Sequence, residues 1–239
     1  MTLPLATQWV PEIFLNLIFV TDPLCPWCYA FGHFLLGIAD SYPDLPVSLV
    51  VGGLRTQKLA PLNVEQKRYE LAKWDRVQKL SGLSFNRESF VASKFDNNTE
   101  LMCRAVVVIR QLAPVSDHLL IFCKLKEAFY VLGRDISNGR KIARVAAGVL
   151  AEVNITISPT EFYNRWREAD TIAETQRDFE KVKDWNINKF PVLMLESNQQ
   201  VHSVAFGFIT IHDLHRNLKL ALRQFGYADS SKQLREKLI

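Results

Sequence analysis

The stretch Ile13-Phe14-Leu15-Asn16-Leu17-Ile18-Phe19-Val20-Thr21-Asp22-Pro23-Leu24-Cys25-Pro26-Trp27-Cys28-Tyr29 decides the fold. Residues 13–20 are a nearly continuous apolar run of strand length, broken at Asn16, as expected of a strand covered on both faces. The run is much too short to span a bilayer. Thr21-Asp22-Pro23 ends it, and a helical pattern follows from Pro26 to about Asp40, with Phe31, Phe34, Leu35 and Ile38 on one face. Tyr42-Pro43-Asp44 is turn chemistry, and Val47–Val51 reads as a second strand. Strand, crossover helix and strand make a parallel βαβ unit.

Outward from this unit the texture changes. From Pro61 to about Asp170 the chain reads as amphipathic helices with no convincing strand, in pieces near 64–80, 100–112, 117–132, 140–152 and 159–167. Ser158 fits an N-cap, with Pro159 at the first helical position and Glu161 three residues on. Residues 171–185 form a further polar amphipathic helix. Two short strands, 192–195 and 201–205, flank Ser197-Asn198-Gln199 and suggest an antiparallel hairpin. Thr210, with Asp213 at its third position, caps a last helix whose buried stripe is Leu214, Leu218, Leu222 and Phe225. The ends give βαβ and ββα around a helical middle. The expected division is an α/β domain from 10–60 and 171–226, with a helical insertion at 61–170.

Composition narrows the function classes. Hydrophobic residues are 48% and charged residues 23% of the 239, the balance of an ordinary globule and not of a disordered or collagen-like chain. Four cysteines are too few for a disulfide scaffold. Residues 1–54 hold four acids and no Lys or Arg, whereas all 29 basic residues and 21 of the 25 acids follow, for a net charge of +4. That distribution lacks the dense basic stripe of a nucleic-acid binder. With no basic residue before Arg55, the first apolar run lacks the charged start of a secretory signal, so a cytoplasmic location is expected, with no membrane attachment. There a close cysteine pair points to redox chemistry or metal.

The chemistry centres on Cys25-Pro26-Trp27-Cys28. Four cysteines give six pairs, so chance alone yields this spacing roughly one time in twenty. Position is what raises it, directly after a buried strand and at the opening of a helix. There the first sulfur meets unpaired N–H groups and the positive end of the helix dipole, which favour thiolate. Pro26 in the first turn sacrifices no hydrogen bond. The second sulfur, one turn on, can attack a mixed disulfide formed on the first. Lys189-Phe190-Pro191-Val192 is the second informative site, since a proline opening a strand can forgo a ladder bond.

The run Asp22-Pro23-Leu24-Cys25-Pro26-Trp27-Cys28-Tyr29 resembles the active-site signature of the DsbA-like thioredoxin superfamily, in particular its cytoplasmic FrnE-like branch of predicted protein-disulfide isomerases. Gly53-Leu54-Arg55, Cys103-Arg104-Ala105-Val106, Ala128-Phe129-Tyr130, Gly133-Arg134-Asp135 and Phe190-Pro191 continue the match in order. The resemblance implies a thioredoxin-like α/β fold with an inserted all-helical subdomain. It implies Cys25 as nucleophile, Cys28 as resolving thiol and Pro191 as a cis-proline beside them, with Pro26, Trp27 and Phe190 contacting substrate. Lys189 stands where this branch is expected to have glycine. The implied activity is thiol–disulfide exchange on protein or small-thiol disulfides, with no cofactor beyond glutathione as a candidate co-substrate.

Other readings stand beside these. Asp22 is either a buried acid assisting proton transfer or a turn former before Pro23. Trp27 is either a substrate contact or a packing residue. A helical hairpin turning near residue 115 would leave Cys103 and Cys123 offset by about five residues, or roughly 7–8 Å along the axis. A disulfide there would be strained, and buried apolar thiols are the simpler expectation. A structural zinc site needs four ligands, so the single CxxC argues against metal, and His212 and His215 read as a solvated helix face. Two rival functions remain: a glutathione-dependent isomerase or kappa-class-like transferase, disfavoured by the intact cysteine pair, and a redox-sensing module that binds client proteins.

Overall fold

The structure, a computed structural model, describes residues 14–56, 60–92, 98–198, 200–225 and 227. Ile13 and residues 10–12 and 226 of the expected domain limits lie outside the described residues. Four strands, β1 (Leu15–Thr21), β2 (Val47–Val51), β3 (Val192–Ser197) and β4 (Gln200–Phe206), form one sheet in the order β2-β1-β3-β4. The β1–β2 pair is parallel, and β1–β3 and β3–β4 are antiparallel. Helix α1 (Pro26–Ala39) is the crossover between β1 and β2. Between β2 and β3 run α2 (Val64–Ser81), α3 (Arg87–Ala92), α4 (Glu100–Leu112), α5 (Val115–Tyr130), α6 (Gly139–Ala151), α7 (Pro159–Trp166) and α8 (Ala169–Asp184). Helix α9 (Ile211–Gln224) follows β4. This is the thioredoxin-like arrangement with a helical insertion that the sequence implies.

The near-continuous apolar character of β1 has its reason in two cores. Leu15, Leu17 and Phe19 face Leu35 and Ile38 of α1 and Leu214, Leu218 and Leu222 of α9. Ile18 and Val20 face the other way, packing with Val50, Met194 and Val182 of α8. Each fully buried side chain of this size contributes about 1.5–3 kcal/mol relative to exposure. Asn16, the one polar residue of the run, is satisfied across the sheet: its Nδ2 donates to Glu196 Oε2 at 3.0 Å and its Oδ1 accepts from the Ser48 hydroxyl at 3.0 Å.

The outer edge of β2 is tied to helices α4 and α8. Val51 N donates to Asp178 Oδ2 of α8 at 3.0 Å. Arg110 Nη1 of α4 donates to the Leu49 carbonyl at 2.7 Å and to Asp178 Oδ2 at 2.6 Å, while its Nη2 reaches Glu174 at 2.7 Å. Side chains from α4 and α8 thus occupy the positions a fifth strand would take.

Several local expectations are met in detail. Ser158 Oγ accepts from Glu161 N at 3.1 Å, with Pro159 opening α7, and Thr210 Oγ1 accepts from Asp213 N at 3.1 Å. The hairpin turns through Asn198, at φ 49°, between strands slightly longer than expected. Others are corrected. Phe14 is exposed and β1 starts at Leu15; α8 begins at Ala169. Helix α3 is additional: its six residues are too short to show a period, and it forms because Phe90 buries against Trp74, ring centroids 4.5 Å apart. Phe225 lies past the end of α9, half-buried against His202, since the helix stops one residue before it.

Candidate active site

Strand β1 delivers the chain to the dithiol, and Asp22 shapes the loop. Its fully buried carboxylate accepts from Leu24 N through Oδ1 and from Leu54 N through Oδ2, both at 2.8 Å. The first bond closes a tight turn before Pro26; the second ties that turn to the segment after β2. Cys25 N in turn donates to the Asp22 carbonyl at 3.2 Å. Asp22 is therefore a turn former, and both carboxylate oxygens are engaged by backbone. Cys25 caps α1 in extended conformation, with Pro26 at the first helical position, and its carbonyl accepts the first helical bond from Tyr29 N at 3.1 Å.

The two sulfurs are differentiated. The Cys28 thiol donates to Cys25, and this is the main influence holding the Cys25 thiol below its ordinary value. Burial opposes it, the Lys126 ammonium assists it, the Asp22 carboxylate opposes it, and the Cys28 N–H assists. Burial, then the hydrogen bond and charge of Cys25, hold Cys28 well above the ordinary thiol value. Among the direct contacts, the neighbouring thiol and Lys126 weigh more than the single Cys28 N–H. Cys25 is 4% exposed, against 0% for Cys28.

What exposure Cys25 retains opens into an apolar groove of about 530 Å³. One wall is Trp27 and Phe208, whose rings lie 5.2 Å apart, and the other is Phe190 with Leu54. Leu80 from the end of α2 overhangs it at 61% exposure, and Lys189 stands at its rim. The Arg76 guanidinium sits 5.8 Å from the Trp27 ring centroid. Trp27 thus both packs and lines the groove. The Phe190–Pro191 peptide is cis, and the Pro191 carbonyl accepts from Gly207 N at 2.8 Å. Phe190 can lie over the end of β2 because Gly52 has no side chain: a Cβ there would come 2.1 Å from the ring.

Sequence reasoning missed the group behind the dithiol. Lys126 of α5 is 1% exposed, and its Nζ donates to the carbonyls of Asp22 at 3.0 Å and Cys25 at 3.1 Å. The Phe122 and Tyr130 rings flank it at 4.9 and 6.0 Å. The available signal was a lysine on the apolar stripe Leu119, Phe122, Phe129 and Tyr130 of an amphipathic helix. Tyr130 is fully buried, stacked on Tyr29 at 4.9 Å, and its hydroxyl has no partner among the described residues. The other two cysteines, Cys103 and Cys123, are also free. Cys123 packs against α1 at Gly32, and burial pushes its thiol up to about 12. Burial likewise raises Cys103, which lies beside Thr99 and the Gly53 N–H. His212 and His215 are exposed on α9, and no three candidate metal ligands cluster among the described residues. No described helix is long and apolar enough to cross a membrane.

No family model matches the chain, and no curated protein sequence matches it. Solved structures do. A candidate protein disulfide isomerase from Nitrosomonas europaea is similar over 88% of this chain and 98% of its own, with 26% identity and a TM-score of 0.76. The cytosolic disulfide reductase DsbM from Pseudomonas aeruginosa is similar over 87% of this chain and 99% of its own, at 22% identity and TM-score 0.70. A structure of the same enzyme with glutathione gives 20% identity and TM-score 0.69, with the same coverage. The likeness runs through sheet and insertion alike, and the dithiol opens the helix after the first strand as the sequence signature requires. By fold, topology and signature, the chain is similar to DsbA-like thioredoxin-fold oxidoreductases.

Proposed function

We propose that the protein is a thiol–disulfide oxidoreductase whose Cys25 thiolate attacks disulfides that enter the groove. Attack forms a Cys25–substrate mixed disulfide and expels the other substrate sulfur as thiolate. Cys28 then gives up its proton, to the expelled thiolate in the net reaction, and attacks the Cys25 sulfur. The second substrate sulfur leaves, the cysteine pair is oxidised to a disulfide, and the substrate disulfide is reduced by two electrons. The reverse sequence oxidises a substrate dithiol. The observation that carries this reading is the split between the sulfurs: one held below and one well above the ordinary thiol value, with only the first lining the groove.

In this reading Trp27 and Phe190 form the substrate contact on the groove walls, with Pro26 and Pro191 buried next to them in sequence; the apolar walls favour protein segments or small thiols that bring aliphatic surface to the sulfur. Glutathione is the proposed small-thiol partner and the cytoplasm the proposed compartment; the related DsbM is described as cytosolic and as a glutathione complex. Asp22 serves as a loop former, and its part in proton transfer is confined to its field. The test is trapping. Cys28→Ser accumulates disulfide-linked adducts through Cys25 on non-reducing gels after thiol quenching, while Cys25→Ser forms almost none. Equal trapping by both variants, or none by either, would falsify the mechanism.

A further inference from the structure

We infer that Lys126, carried by the inserted helix α5, is a positioning residue that keeps the Cys25 sulfur ionised and thereby sets the redox poise of the pair. The inference rests on the dithiol being the reactive centre, but its test does not depend on turnover. An ammonium buried to 1% exposure costs several kcal/mol unless compensated. Its two hydrogen-bond acceptors, the carbonyls of Asp22 and Cys25, carry no formal charge. Burial pulls the Lys126 ammonium below its ordinary value, and the negative charges that can offset this come from the loop: the Asp22 carboxylate and a Cys25 thiolate, since Cys28 is itself held protonated by burial.

The Asp22 carboxylate already serves two backbone N–H groups at 2.8 Å. Among the remaining described titratable neighbours, the only negative charge is on Glu127, which faces solvent. Cys123, on the same helix, and Tyr130 are both held protonated by burial. His33 of α1 is held neutral by burial and faces Glu127, which is itself 43% exposed. A thiolate at Cys25 is therefore the one acquired charge that relieves Lys126.

The consequence is thermodynamic. Stabilising the thiolate stabilises the reduced dithiol, because the disulfide carries no charge to pair with the ammonium, and so the pair becomes a stronger oxidant. The main-chain bonds of Lys126 alone would only hold the loop, and an amide could make them equally well. The charge is what an amide cannot replace, so neutral and charged substitutions separate the two roles.

The experiment titrates the Cys25 thiolate by absorbance at 240 nm and equilibrates the pair with glutathione in wild type, Lys126→Gln, Lys126→Met and Lys126→Arg. In both neutral variants the thiolate midpoint should rise by about one unit, a tenfold loss of thiolate at a fixed pH below it. The glutathione equilibrium should move about tenfold toward the disulfide, equivalent to roughly 30 mV for a two-electron couple. Lys126→Arg, where folded by circular dichroism, should restore the wild-type midpoint. An unchanged midpoint and equilibrium in folded Lys126→Gln would overturn the inference and leave Lys126 a structural tie. A wild type that titrates as described yet exchanges no disulfide would instead refute the proposed function.

Discussion

Asp22→Asn is an isosteric change whose two consequences run in opposite directions. The carboxylate accepts two backbone N–H groups at 2.8 Å in a fully buried site. Asparagine keeps one acceptor oxygen and turns an NH2 group toward the other donor, so either Leu24 N or Leu54 N loses its partner and faces a second donor. A charge-assisted bond lost this way, with a buried N–H left unsatisfied, costs about 2–4 kcal/mol. For a chain of this size each kcal/mol lowers the melting temperature by about 2–4 °C, so a fall of roughly 5–15 °C is expected. Meanwhile the Asp22 charge opposes the Cys25 thiolate, and removing it should lower the Cys25 midpoint. Differential scanning fluorimetry reads the first effect, and iodoacetamide alkylation rate against pH reads the second. A variant as stable as wild type, or one whose Cys25 thiolate forms only at higher pH, would refute this account of the loop.

Arg110→Met should cost about 3 kcal/mol at pH 7, since it leaves the Asp178 carboxylate and the Leu49 carbonyl without their cation. Burial already raises the Asp178 carboxyl above its ordinary value, so its contribution to stability is present at low pH and lost as pH rises through the folded value. Removing Arg110 raises that value further, and the melting deficit of the variant should shrink from pH 7 to pH 5; a deficit that grows on acidification contradicts it. Gly52→Ala should swing the Phe190 ring into the groove, costing roughly 1 kcal/mol of stability but raising KM for a disulfide substrate several-fold. Cys103 and Cys123 should resist iodoacetamide in the folded protein and react in urea, by mass spectrometry of the alkylated chain; rapid native labelling of either would contradict their burial.

The fold is legible where a residue's pattern is set by what lies on both sides of it. β1 reads correctly because both its faces meet apolar layers, and α7 and α9 because their caps are written in Ser158 and Thr210. The dithiol is legible because its placement, strand before and helix after, carries more information than its spacing. Lys126 is not, for its partners are carbonyls 101 and 104 residues away, and main-chain carbonyls leave no mark in sequence. The role of Asp22 escapes for the same reason: it ties the loop through the N–H groups of Leu24 and Leu54, which any residue supplies. Helix α3 is too brief to display a period, and the groove depends on Leu80 arriving from α2 at a position only tertiary packing decides.

The distance along the chain between Cys25 and Lys126 also has a meaning in time. Synthesis at about 5–20 residues per second brings the cysteines out roughly 5–20 s before the lysine that reaches their loop. Until α5 is made, neither carbonyl has its tie and the sulfurs have no buried cation behind them. If Lys126 holds the Cys25 thiolate as inferred, the nascent dithiol lacks that contribution and gains it only when α5 closes on the first βαβ unit. On that inference, closure of α5 is the step that adds the buried cation to the dithiol.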